Sequence, residues 1–323
     1  MDRHHRLATR GHSHGLSRQS VRVMNEPVEL PLARQLAALV TPIHNVSYYT
    51  PEIRVFADLG IKSWWTAYFA YRSAPMGQVA AEVITATFYG FAPRMVGRAV
   101  PAVWDHVTPS QAMDVRLDAV DRAWRRIFHE AGAASDPTHQ AAVAEAAALA
   151  RGCIKGVEAG ARPLYAGHTA LVWPEPDWLQ LWHACTLLRE HRGDSHTIAL
   201  AAADIDPVQC QVLMAARGHG NKATLLTIRG WNDQEWERAV AGLQQRGWLG
   251  ADGALTPAGR QARRAVEEHT DLLAAEPAHR LGRAGVARLS ELVGPLHQVL
   301  HTTGNIPGRW PPPHVLAGQD PAD

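Results

Sequence analysis

Between residues 24 and 304 apolar side chains recur at helical spacing, and almost every segment reads as helix. Three helix starts are written locally. Asp136-Pro137 supplies an N-cap and a first-turn proline for a long alanine-rich helix reaching about Lys155. Asp206-Pro207 repeats the device ahead of Val208, Val212 and Leu213, which share one helical face. Pro176-Asp177 opens a third helix, carrying Trp178, Leu181, Trp182, Cys185 and Leu188.

The clearest pattern runs over residues 232–275. Asn232 caps a helix beginning Asp233-Gln234-Glu235, with acids where the helix dipole favours them. Trp236, Val240 and Leu243 form its apolar face, and Gly247 ends it. Trp248-Leu249, an Asp252-Gly253 turn and Ala254-Leu255 then predict a short β-hairpin, and Thr256-Pro257 caps the next long helix. Preceded by two shorter helices, over about residues 207–217 and Lys222–Arg229, this is the layout of a winged helix-turn-helix.

Shifting the chain on itself gives an ordered match at about 140 residues. Gly90-Phe91 before Gly97-Arg98-Ala99-Val100 parallels Gly230-Trp231 before Glu237-Arg238-Ala239-Val240, and Thr108-Pro109 answers Thr256-Pro257. Residues 105–107 leave no room for a wing in the first copy. The expected fold is therefore all-α with a small β-wing, built as tandem, internally duplicated winged-helix modules. Its parts are a disordered basic tail at 1–23, a first module at 24–135 and a connecting helix and loop at 136–175. A second module with C-terminal helices follows at 176–304, and a proline-rich tail or surface strap at 305–323. On one reading the basic tail lies upstream of a natural start at Met24.

Three segments carry a family resemblance: residues 86–93 (Ala-Thr-Phe-Tyr-Gly-Phe-Ala-Pro), 187–196 (Leu-Leu-Arg-Glu-His-Arg-Gly-Asp-Ser-His) and 253–260 (Gly-Ala-Leu-Thr-Pro-Ala-Gly-Arg). Through them the chain resembles an actinobacterial helix-turn-helix family of unassigned function, over nearly everything between the tails. The last segment is also similar to the wing-to-helix junction of MarR-type regulators. The resemblance implies the fold and brings no catalytic residues with it.

Charge complicates the obvious reading. The 323 residues carry 32 basic and 31 acidic side chains, a formal charge of +1. The basic tail accounts for more than that excess, so the rest is near −3. Nucleic-acid binding needs cations facing phosphate. The second module instead places Asp233, Glu235 and Glu237 where a recognition helix would meet bases, and its wing tip has no Arg or Lys. Arg94 and Arg98 in the first module, with Arg260 and Arg263 after the wing, are the candidate DNA contacts. DNA is a possible partner, disfavoured by sign.

A small-molecule site is better supported. Residues 189–196 place Arg189, Glu190, His191, Arg192, Asp194 and His196 around Gly193, which reads as a break between two helices with Asp194 capping the second. Arg pairs with anions and His titrates near neutrality, so the cluster suits an anionic ligand or a proton transfer. Fourteen of the 22 aromatic residues fall between Tyr48 and Phe128, more than one helix face can bury. The candidate ligand residues are Arg189, His191, Arg192, Asp194 and His196, with His44, His183, Tyr48, Trp65 and Tyr89. His183, His191 and His196 lack metal-ligand spacing, so no metal and no cofactor are assigned.

The expected function is a ligand-sensing, regulator-like winged-helix protein binding a small aromatic or anionic molecule. Two alternatives stand beside it. One is a small-molecule enzyme on the same scaffold with His191 or His196 as acid/base, and the other is a protein-interaction module docking through its acidic helix. The odd set of Cys153, Cys185 and Cys210 lacks a close pair and excludes a disulfide framework. With no secretory apolar region and no membrane-length apolar run, a cytoplasmic protein that leaves membranes alone is expected.

Overall fold

The computed structural model describes residues 31–306, so the 1–23 tail and all but the start of the 305–323 tail lie outside the described residues. The first half contains α1 (Leu32–Tyr49), α2 (Trp64–Ser73), α3 (Ala81–Phe88), α4 (Pro93–Ala99), α5 (Pro109–Glu130) and α6 (Pro137–Ile154). A short α7 (Pro163–Thr169) leads to α8 (Asp177–Ala202), α9 (Pro207–Ala216), α10 (Lys222–Arg229), α11 (Asp233–Gln245), α12 (Pro257–Leu273) and α13 (Ala275–Thr302).

The caps do what their side chains allow. Thr108, Asp136, Asp206, Asn232 and Thr256 each accept a backbone N–H from the first turn they precede. At Asp206 and Asn232 the third helical residue, Gln209 or Glu235, bonds back to the cap's own N–H. Each cap is worth about 1 kcal/mol.

Three apolar clusters organise the helices. α1, α6, α8 and α13 share one, around Val40, Ile43, Trp182, Leu188, Leu289 and Leu296, with α1 and α6 each lying on both α8 and α13. Phe69, Ile84, Phe91 and Val96 centre a second among α2–α5. Leu213, Leu225, Trp236 and Leu243 centre a third, where the end of α8 meets α9–α12. Asn305 is buried and accepts from Arg126 at 2.8 Å, so the chain stays tied to the body at the last described residues.

Two local expectations are corrected. The helix break at Gly193 does not form, because α8 runs unbroken from Asp177 to Ala202. An interior glycine costs a helix only about 1 kcal/mol. Burial of Leu187 and Leu188 before it, and of Ala199 and Leu200 after it, outweighs that. Asp194 is a cap, but for a different helix: its carboxylate accepts the Leu164 and Tyr165 N–H groups at the start of α7, at 3.1 and 2.9 Å.

The hairpin after α11 contracts to one antiparallel bridge, Leu249–Leu255, and no strand occurs among the described residues. Thr256 both caps α12 and donates its backbone N–H to the Trp248 carbonyl, so the arms end as soon as they pair. Gly259, in the first turn of α12, lies on that carbonyl, and a Cβ there would stand 2.1 Å from it. Gly259→Ala is expected to destabilise by roughly 1–2 kcal/mol by overpacking, seen as a lower urea midpoint with an unchanged slope.

Candidate functional site

The turn between α3 and α4 and the turn between α10 and α11 meet each other. The Ala92 N–H donates to the Arg229 carbonyl at 2.8 Å, and the Trp231 indole donates to the Gly90 carbonyl at 3.0 Å. Arg94 of α4 clamps Glu235 of α11 through two hydrogen bonds of 2.9 and 2.6 Å. Gly230, at φ +74°, admits Met95, which would stand 2.7 Å from a Cβ there. The cation expected to attract DNA and an acid expected to repel it thus neutralise one another. Of the other proposed DNA contacts, Arg98 and Arg260 are exposed, Arg260 donating to the Leu255 carbonyl. Arg263 is buried and donates to Glu267 at 2.8 Å, which removes it from any surface role.

The α3–α4 turn and the end of α10 also contribute to the wall of a cavity of about 600 Å³. α1, α2, α8, α9 and α12 complete it. Tyr48, Trp65, Tyr89, Arg189, Arg192, Asp194 and His196 line this cavity, so seven of the expected ligand residues converge although they come from four separate stretches of chain. His44, His183 and His191 do not line it. The His44 ring nitrogens sit 2.9 Å from the Tyr48 hydroxyl and 3.1 Å from that of Thr186. His183 packs edge-on to Trp173, and His191 edge-on to Tyr165. Burial pulls all three well below the usual imidazole range, His191 to about 4 and His183 to about 3. His196 does face the cavity, with Nδ1 2.9 Å from the Thr270 hydroxyl. Burial lowers it to about 4, against the pull of Glu267.

Continuity of α8 produces the site's polar face. Residues 189, 193 and 197, and 190 and 194, fall one turn apart on one side of a single helix. Glu190 is 1% exposed. Burial alone would raise its carboxyl, yet Arg72 and Arg189 hold it far below the usual range. Arg72 reaches its Oε2 at 3.3 Å, while Oε1 accepts no hydrogen bond. His44 lies 3.7 Å from that Oε1 but is neutral, so the approach is not an ion pair. Opposite stands a wall of Trp64, Tyr68, Phe88 and Phe91, with Trp64 and Tyr68 stacked at 5.3 Å.

Tyr89 is held at φ +54°, ψ −59°, by a tight turn in which the Gly90 N–H donates to the Phe88 carbonyl at 2.6 Å. Its hydroxyl donates to the Ile205 carbonyl, fixing the strained turn to the α8–α9 junction.

Arg72, Gln211, Arg229 and Glu267 also line the cavity and were not among the expected ligand residues. Gln211 is 3% exposed and its Oε1 has no hydrogen-bond partner. A buried glutamine one position from Cys210 on a short helix was the available signal for that residue; the other three carry none locally. Among the described residues no group of three or more His, Cys, Asp or Glu is placed to hold a metal ion, and no single helix is long and apolar enough to cross a membrane.

Residues 33–307 match the model of a family described as a helix-turn-helix family. No curated protein and no solved structure matches the chain.

Proposed function

The chain belongs to this helix-turn-helix family, whose name points to a DNA-binding, regulator-like role, and from that premise we propose that it is a ligand-sensing regulator. The cavity carries the proposal. It combines an aromatic wall with a polar helix face, and its lining includes the α3–α4 turn and the end of α10 to which that turn is hydrogen-bonded, so an occupant lies against elements that a regulator would have to move. Reading the chain as two related modules is supported by the matching order of α1–α6 and α8–α13, and by the exchange in which α1 lies on α13 as α8 lies on α6.

DNA contact is the less favoured half of the role. The N-terminal turns of α4 and α11 are engaged with each other through Arg94 and Glu235, so a conventional approach of either to a major groove requires that contact to open. The interaction-module alternative loses support because Arg189 and His196 face the cavity. Its acidic helix is also neutralised within the chain, Glu235 by Arg94 and Asp233 by Lys222. Acid/base catalysis by His191 is disfavoured by its burial away from the cavity, and His196 is a weak base at neutral pH.

Thermal-shift screening of the full chain against small metabolites tests the ligand half. A true ligand at a hundredfold excess over its Kd is expected to stabilise by about 2.7 kcal/mol, and a screen in which no compound moves the transition would sink it. Gel shifts on the upstream region of the protein's own gene test the other half. Binding that weakens as salt rises supports it, and absent or salt-insensitive binding removes it.

A further inference from the structure

Resting on the ligand reading, we propose that the cavity selects an aromatic acid, its ring against Trp64, Tyr68, Phe88 and Phe91 and its carboxylate held by Arg189. The arginines on the wall are not equivalent. Arg72 is occupied by Glu190 and the Tyr68 hydroxyl, and its guanidinium stacks on Phe88 at 4.3 Å. Arg192 is held by Asp271 at 2.8 Å, with Glu267 at 3.6 Å. Arg189 lines the cavity and makes no ion pair and no hydrogen bond among the described residues, its charge bearing on Glu190 from a longer distance, so its donors are open to a ligand. A planar donor fork beside a low-dielectric aromatic wall fits a planar carboxylate, bound bidentately. The Arg229 guanidinium, stacked on Phe91 at 4.4 Å, adds positive potential from the end of α10.

Gly193 is the independent observation. Propensity disfavours glycine in a helix interior, and no turn or positive φ requires one here. What it provides is space for a side chain. A Cβ at 193 would stand 2.8 Å from Nη1 of Arg189 and 3.4 Å from Oε2 of Glu190. The guanidinium lies across the position where any other residue would put its side chain. Gly193 is thereby a positioning residue, keeping Arg189 folded back along α8 and against the cavity. An alanine there leaves the helix intact, or slightly firmer, and drives the guanidinium off its seat.

Calorimetric titration of the full chain with 2-naphthoate and indole-3-acetate, beside their uncharged amides, tests this. The acids are expected to bind at least about tenfold tighter than the amides, the range of one charge-assisted pair. Arg189→Gln should erase that preference, weakening the acids far more than the amides. Gly193→Ala should weaken the acids in the same selective way without lowering the melting temperature, which separates displacement of Arg189 from damage to the fold. Arg189→Lys should retain part of the preference, as charge without the fork. Acids that bind no better than amides, or not at all, overturn the proposal, as does an Arg189→Gln variant that weakens both alike. If a screen meanwhile finds neutral or cationic ligands, the aromatic-acid inference alone has failed; if no compound of any class binds, the ligand reading fails with it.

Discussion

Replacing Glu190 by alanine is expected to cost about 3–5 kcal/mol of stability, the usual result of removing one member of a buried charge pair. Glu190 is 1% exposed and Arg72 bonds to it from α2, so the variant leaves a guanidinium in the protein interior with only the Tyr68 hydroxyl and the Phe88 ring for company. At about 1.5 degrees per kcal/mol for a chain of this size, the melting temperature should fall by roughly 5–8 °C. Glu190→Leu combined with Arg72→Met removes both charges and should recover most of the loss, because the pair's attraction mainly offsets its own desolvation. The pH dependence has a definite sign. The folded-state pKa of Glu190 is depressed, so its contribution is complete above the unfolded value of about 4.3 and is lost as pH falls below it. Urea melts of wild type and Glu190→Ala should converge in acid. A variant that melts with the wild type at pH 7 would show that the pair is not formed.

Much of this architecture was legible because helix starts are local. An Asp-Pro or Thr-Pro pair states its own meaning, and the helices after Asp136, Asp206 and Thr256 begin where those pairs stand. The fate of Gly193-Asp194 was not legible for the same reason in reverse. The dipeptide describes a turn, and only burial on both sides, together with a carboxylate acceptor for the distant α7, turns it into helix interior. The site divided along the same line. Ionisable residues crowded on one stretch of α8 announced a polar face, whereas Arg72 meets Glu190 across 118 residues with nothing local to mark it. Charge misled most where it was read one element at a time. Arg94 looked like a phosphate contact and Glu235 like a phosphate repellent, and the clamp joining them across 141 residues cancels both.

Asp194, one turn beyond Glu190, should show the opposite pH behaviour, and the contrast between two of its variants separates its charge from its capping role. It is 4% exposed and accepts two backbone N–H groups of α7. Burial pushes its carboxyl up to about 7, although the N–H donors pull the other way. A folded-state pKa above the unfolded value of roughly 3.9 means that the native protein holds this proton more tightly. The associated stability is therefore complete below about pH 4 and drains away as pH rises through 7. Asp194→Asn keeps a carbonyl oxygen for both N–H groups and never ionises. It should match the wild type near pH 5 and exceed it by roughly 1–3 kcal/mol at pH 8.5. Asp194→Ala removes the acceptor and strands two buried donors, an expected loss of about 2–4 kcal/mol that persists across the whole range. Urea midpoints taken every half unit from pH 5 to 8.5 give both answers at once. If wild type and Asp194→Asn run parallel, the carboxyl is ionised throughout and caps α7 as an anion. If Asp194→Ala costs nothing, the start of α7 does not depend on α8, and the cavity wall that α8 presents is held by its apolar packing alone.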